Sequence, residues 1–453
     1  MLRVKRGDIA EVLIKDMKFP NKGVGYINEK PIIIKNAWIG QKVEARISKR
    51  RSTHYEGKLY SVVTKSSAEH DSFCPHFGKC GGCALQTFPV EFQSELKATL
   101  VEDMLRNTGI EGFEFNGVIQ SPDAYEYRNK MEFSFGDEEK GGIMTLGMHK
   151  KGRFHDVVNV DYCKIVEFDF TRIARATREY FLKDGAPKYN KRMHEGFLRH
   201  LTVRKGTNTG EILIGLSATS QIKYDFSEWI KVLLDLELDG EIVGILHIVN
   251  DGMGDVVQGD IDILYGRDYY NEKLMGLDFK VSFYSFFQTN TNGAEVLYKT
   301  TMDYMDNIES KTVFDLFSGT GTIGQIMASK AKEVVGVELV EDAVIAANKN
   351  ANLNGIGNCT FLAGDVFVKL DEVDQKPDVI VVDPPRVGIT EKALAKIIGY
   401  GVEGMTYVSC NPRSLALNLL QLQQAGYQVE KVVCVDMFPH TPHVETVVQL
   451  RKK

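Results

Sequence analysis

The sequence predicts an α/β protein in three parts: a small all-β barrel over residues 1–68, a mixed α+β segment over 69–280 that carries a cysteine cluster, and an open parallel sheet of the Rossmann type over 281–453. Three observations lead there. The first 68 residues alternate short β-branched runs with glycine turns. The last part alternates apolar strands with amphipathic helices, as a doubly wound sheet does. At 453 residues, a single core does not accommodate the chain.

In the first part, runs such as "IAEVLIKDM", "QKVEARISKRR" and "EGKLYSVVTK" have the spacing of a small barrel. Gly23, Gly25 and Gly40 stand where tight turns or bulges are expected. This part holds fifteen Lys and Arg against six Asp and Glu, a net of +9, while the whole chain carries −6. A basic module on an acidic body suggests a polyanionic partner, although a solvated lysine-rich face gives the same count. Lys49, Arg50 and Arg51 near Tyr55 suit a phosphate backbone and an unstacked base. No stretch approaches the roughly 20 apolar residues that span a bilayer. The start, "MLRVKRGDIAEV", has no apolar run behind its basic end. The expectation is a cytoplasmic protein with no membrane contact.

Residues 69–90, "EHDSFCPHFGKCGGCALQTFPV", lack periodicity and need an external reason to be ordered. The chain has seven cysteines, an odd number, which in an unsecreted protein argues against a disulfide framework. Cys74-x5-Cys80-x2-Cys83 supplies three thiolates, and Cys163 in "NVDYCKI" is the best distant fourth. All-cysteine ligation suits zinc or an iron–sulfur cluster. The absence of paired CxxC knuckles favours the cluster, while His70 and His76 keep zinc open. Beyond the loop, Phe92, Leu96, Leu100, Met104 and Leu105 recur at helical spacing, with Gly109 as C-cap. A helix within 91–115 is expected to pack on the C-terminal domain.

The C-terminal part holds the chemistry. "TVFDLFSGTGTIG" (312–324) is an apolar strand followed by Gly319, Gly321 and Gly324, which let the backbone turn tightly against a ligand. The next three strands end in Glu338, Asp365 and Asp383. Acids at successive strand tips of one sheet suit S-adenosylmethionine better than a dinucleotide. In that reading Glu338 holds the ribose, Asp365 lies near the adenine amine and Asp383 faces the reacting centre. Cys410 follows "MTYVS" at another strand tip, where Asn411-Pro412 ends the strand and turns the thiol outward. Cys359 and Cys434, by contrast, read as small buried hydrophobes.

A thiolate at Cys410 has a chemical motive. C5 of uracil is too weak a nucleophile to attack a methyl sulfonium. Thiolate addition at C6 gives C5 carbanion character, and a base must later remove the C5 proton so that the thiolate can leave. Arg413 or Arg386 is expected to favour the thiolate. Glu445 is the best base candidate, with His440 and His443 as competitors.

"DLFSGTGTIG", "DPPR", "YVSCNP" and "HVETV", in that order, with "SFFQTNTNGAEVLY" ahead of them, resemble the RNA uracil-5-methyltransferase family. The resemblance implies Cys410 as nucleophile and Glu445 as base. It places cofactor contacts on Gln288, Phe317, Glu338, Asp365 and Asp383. The family's usual Cys-Gly-x-Gly-Asn reads Ser318-Gly319-Thr320-Gly321-Thr322 here, so a side-chain contact at Thr322 is not implied. Residues 1–68 resemble the TRAM domain. The family's ribosomal-RNA members carry a [4Fe–4S] cluster on cysteines matching 74, 80, 83 and 163, and its transfer-RNA members commonly lack both features. The resemblance therefore implies a 23S ribosomal RNA (uracil-5-)-methyltransferase, and a monomer is the expectation beside it. The resemblance also brings in Arg128, Lys130, Lys150, Lys151 and Arg153 as able to bind phosphate, with solvated loop charge as an equally simple reading of each. A transfer-RNA enzyme, an iron–sulfur redox enzyme and an inactive ribosome-assembly factor are the alternatives.

Overall fold

Alternation of apolar and polar positions closes the N-terminal strands over their own core. The computed structural model describes residues 4–305 and 307–453. In it Ile9–Leu13, Lys42–Arg50, Tyr55–Thr64, Lys30–Lys35, Lys22–Ile27 and Asp16–Lys18 form one six-stranded sheet in that spatial order. Val43, Ala45 and Ile47 point inward while Lys42 and Arg46 face water, the period-2 pattern of a half-buried strand. Gly40 turns at φ +82° as expected. Gly23 and Gly25 instead lie inside a strand, where the need is close approach. A Cβ on Gly25 would stand 2.2 Å from Val12 Cγ1, and one on Gly23 would stand 2.6 Å from the Ala37 carbonyl oxygen.

The central part is a seven-stranded sheet in the order Arg153–Asn159, Met144–Lys150, Lys130–Asp137, Leu198–Lys205, Glu211–Ala218, Glu241–Val249 and Asp260–Gly266. Helices Phe168–Asp184 and Ser227–Leu234 cover its apolar face around Trp229 and Phe181. A hairpin of Tyr269–Leu274 and Leu277–Ser282 leads to helix Thr291–Asp303, whose N-cap Asn290 accepts from the Gly293 N–H.

The C-terminal sheet runs Cys359–Ala363, Glu333–Glu338, Thr312–Leu316, Val379–Val382, Gly404–Ser409, Glu445–Lys452, Tyr427–Asp436 and Glu114–Gln120. Its first five strands are parallel, and Glu445–Lys452 runs antiparallel to both neighbours. Strands Thr312–Leu316, Val379–Val382 and Gly404–Ser409 are buried along their whole length, as strands covered on both faces must be. Phe314, Ile380 and Tyr407 join one apolar cluster, and Val313, Val381 and Val408 the other. The first cluster continues into the barrel core through Trp38, whose ring meets Phe88 edge-on. The expected helix spans Val90–Asn107, with Gly109 at φ +95° just past its end, and it packs on this same cluster. Strand Glu114–Gln120 follows it and pairs in parallel with Tyr427–Asp436, so this early segment completes the edge of the C-terminal sheet.

Candidate active site

The strand order reverses at Thr312–Leu316, whose neighbours lead away to opposite sides. Doubly wound sheets open a crevice at such a point, beyond the carboxyl ends of the strands. A cleft of about 1410 Å³ lies there. Gln288, Phe317, Gly319, Glu338, Asp365, Asp383, Cys410 and Glu445 all line it, so the fold gathers every side chain that the motifs singled out for cofactor and catalysis.

The loop after Thr312–Leu316 is shaped by unusual backbone. Phe317 takes φ +65°, Gly319 φ +55° and Gly321 φ +74°. For a phenylalanine this region costs of order 1–3 kcal/mol, and such strain gathers at ligand-binding turns. Here the Phe317 and Ser318 N–H groups both donate to the Val337 carbonyl, which fixes the turn against the next strand. No atom lies within 4 Å of a Cβ built on Gly319, so the backbone there faces open cleft. Glu338 accepts from the Gly319 N–H at 3.0 Å and the Val340 N–H at 2.9 Å, which presets its carboxylate at the cleft edge. Asp365 accepts from the Phe367 N–H and caps helix Val366–Lys369.

These residues fit S-adenosylmethionine. Asp315, in the strand that leads into the glycine loop, is fully buried with no side-chain hydrogen-bond partner, and Ser318 Oγ is also unpartnered. Burial, with repulsion from Asp383, pushes the Asp315 carboxyl up to about 7. The fit to a cationic cofactor is carried by the acids that line the cleft, Glu338, Asp365 and Asp383. Sequence reading passed over Asp315, although an acid inside the apolar run "VFDLF" was a readable signal. It also passed over Tyr298, which is buried and lines the cleft. Tyr298 sits among apolar helix positions, which gave no signal.

Cys410 sits between strand Gly404–Ser409 and helix Pro412–Gln424, whose N-cap is Asn411 with Pro412 in the first turn. The Asn411 side chain and the Ser414 hydroxyl both donate to the Arg386 carbonyl, tying this turn to the Asp383-Pro384-Pro385-Arg386 loop. The cysteine thiol is pushed up to about 11, by burial first and then by the charges of Glu445 and Asp383, while Arg386 opposes them by charge and hydrogen bond. The thiol is therefore neutral at rest. Arg386 is the expected cation. Arg413 is not, because its guanidinium donates to the Phe19 carbonyl of the barrel. Burial raises Glu445 to about 8, Asp383 adding to the rise, and burial raises Asp383 to about 7.

The base competitors separate. His443 lines the cleft, and burial holds its imidazole down at about 4. His440 is buried away from the cleft lining, with its N–H donating to Gln93 Oε1 at 2.7 Å and its ring against Tyr125. Cys359 and Cys434 are buried, in keeping with an apolar role.

Cys74, Cys80, Cys83 and Cys163 come near enough for their charges to be felt mutually. Burial raises the Cys83 thiol most, and the other three raise it further. Cys163 is raised to about 11 by burial first, with Cys74 and Cys80 adding to it. Among the described residues, however, no group of three or more His, Cys, Asp or Glu side chains converges closely enough to hold a metal ion. Of the basic residues, Arg128 lines the cleft, whereas Lys130, Lys150 and Arg153 pair with Glu132, Glu138 and Asp156. Burial lowers Lys151, which lies over the Phe77 ring. Among the described residues, no helix is long and apolar enough to cross a membrane.

Known proteins agree with this architecture. Residues 93–453 match the family model described as tRNA (Uracil-5-)-methyltransferase, and residues 3–59 match the TRAM domain. An uncharacterized RNA methyltransferase of Clostridium acetobutylicum is 48% identical, with 100% of each chain covered. One from Caldanaerobacter subterraneus is 46% identical over 99% of each chain. The crystal structure of Pyrococcus abyssi tRNA (uracil-54, C5)-methyltransferase in complex with S-adenosyl-L-homocysteine superposes with a TM-score of 0.77. It is 24% identical, the match covers 97% of this chain and 100% of that one, and it attests the fold. With four-fifths of its length inside the family model and a TRAM barrel ahead of it, the chain belongs to the RNA uracil-5-methyltransferase family.

Proposed function

We propose that the protein uses S-adenosylmethionine to methylate C5 of one uridine in 23S ribosomal RNA, acting as a cytoplasmic monomer. The observation that carries this reading is the convergence of Cys410, Asp383 and Glu445 on one cleft with the cofactor-side residues. Gln288, Phe317, Gly319, Glu338, Asp365 and Asp383 would hold the cofactor. When bound, that group supplies an electrophilic methyl and a positive charge.

The protein's own residues supply the remaining steps. The target base leaves its stack to reach the cleft, at a cost of a few kcal/mol. Cys410 loses its proton to solvent beside Arg386, whose charge favours the thiolate, and Glu445 is left free for the later C5 proton. Its sulfur adds to C6 of the uracil, and C5 becomes nucleophilic. After C5 is methylated, Glu445 takes the C5 proton, the C5–C6 double bond reforms and the thiolate departs. A carboxyl near neutral acidity is matched to that exchange.

The barrel over 1–68 and the segment 69–280 are assigned to RNA binding. The choice of ribosomal RNA rests on the barrel occurring together with the cysteine loop. A [4Fe–4S] cluster on Cys74, Cys80, Cys83 and Cys163 is proposed from their spacing in the sequence alone, and no step passes through it. Iron and sulfide content after anaerobic purification tests it. Transfer RNA is the rival substrate, because the Pyrococcus protein named above acts on uridine 54 of tRNA. Methyl transfer to unmodified 23S RNA and to unmodified tRNA, followed by mass mapping, decides between them. Cys410→Ala is expected to abolish transfer while leaving RNA binding intact. An active alanine variant would falsify the covalent route.

A further inference from the structure

Glu445 opens its strand, and the chain reaches it through Asp436–His440, a segment without regular structure from Met437 onward. Loop backbone of this kind is ordinarily the mobile part of a fold. Here every carbonyl along it is engaged. The Asp436 carbonyl accepts from the Ser121 N–H, Met437 from the Asn290 side-chain amide at 2.7 Å, and Phe438 from Lys97 Nζ and the Thr441 hydroxyl. The Pro439 carbonyl accepts from the Tyr127 hydroxyl at 2.9 Å. The His440 carbonyl accepts from the Ala84 and Leu85 N–H groups. His440 is held at φ +68°.

One helix contributes most of the side-chain grip. Gln93, Ser94 and Lys97 lie on one face of Val90–Asn107 and are fully buried, an unusual stripe for polar residues. Lys97 Nζ donates to Asp436 Oδ1 at 2.7 Å, and Ser94 Oγ to Asp436 Oδ2 at 2.9 Å. Gln93 Oε1 accepts the His440 N–H, while its amide nitrogen meets His440 Nδ1 at 3.2 Å and donates to the Phe88 carbonyl. A buried ion pair is seldom retained for stability alone, because desolvation offsets the attraction.

We propose that Lys97, Ser94 and Gln93 are positioning residues for Glu445: through Asp436 and His440 they fix the path of the chain that delivers the base to the cleft. This rests on the reading of Glu445 as the base. None of the three lines the cleft.

The test uses the full-length protein with Lys97→Met together with Asp436→Leu, which removes both charges and leaves no orphan behind. RNA affinity and melting temperature are expected to stay near the parental values. Turnover falls about a hundredfold, as a base displaced by about 1 Å implies. Protein–RNA adduct accumulates on denaturing gels, because attack proceeds and elimination lags. A merely structural role would lower the melting temperature without trapping adduct. Parental turnover without adduct overturns the proposal. If the double variant does not fold, Ser94→Ala is measured in its place, and parental turnover without adduct in that variant is equally fatal. Glu445→Gln runs in parallel. If it traps no adduct, the base assignment itself has failed; if it traps adduct while the clamp variants behave as parent, only the clamp has failed.

Discussion

Replacing Glu445 by glutamine keeps the shape of the side chain and removes its ability to take a proton. Burial, aided by Asp383 and opposed by Arg386, raises this carboxyl from the ordinary 4.5 to about 8. At about 1.4 kcal/mol for each tenfold in acidity, the ionised form costs the folded protein about 5 kcal/mol. The sign follows from proton binding. Between pH 4.5 and 8 the folded protein keeps the proton that the unfolded chain has lost, so stability falls as pH rises through that window. Below it both states are protonated and the group has no effect. Glutamine is neutral throughout. The variant and its parent are therefore expected to melt at similar temperatures near pH 5, and the variant to melt progressively higher by pH 8.5. Turnover should drop by roughly 10²–10⁴, the usual contribution of a positioned base, while adduct with RNA persists on a denaturing gel. A flat melting difference from pH 5 to 8.5 would refute the electrostatic argument. Parental turnover would refute the chemical one.

Two further outcomes follow from the geometry. Arg386→Met removes the cation that favours the Cys410 thiolate, so the thiol limb of the pH–rate profile should move to higher pH. Turnover at pH 7 should fall about tenfold, which stopped-time methylation across pH 6–10 measures. Gly25→Ala forces a methyl group to within 2.2 Å of Val12 Cγ1, and overpacking of this kind costs about 1–3 kcal/mol; a barrel that melts at the parental temperature would contradict the close-approach reading.

Much of this site was legible because its signals are local. A strand that ends in glycines, acids at the following strand tips, and a cysteine stopped by Asn-Pro are each written within a dozen residues. Backbone geometry turns such patterns into position without knowledge of distant chain. The helix Val90–Asn107 was readable for the same reason, through its 3.6-residue period and terminal glycine. The direction of Arg413 was not. Residue 413 is near the thiol in sequence, but its guanidinium reaches back 394 positions to Phe19.

The sequence by itself determined the order of the motifs, the class of fold and the candidate side chains that line the cleft. Tertiary structure alone decided which groups meet. It placed Glu114–Gln120 at the edge of a sheet whose other strands begin nearly two hundred residues later, and it joined Lys97 to Asp436 across 339 positions. It buried His440 out of the cleft while leaving His443 within it. It also kept the Cys410 thiol neutral at rest beside two acids. Local periodicity records how a segment folds. Proton affinity depends on water excluded and charges assembled by all the segments together, and those arise only once the chain has closed on itself.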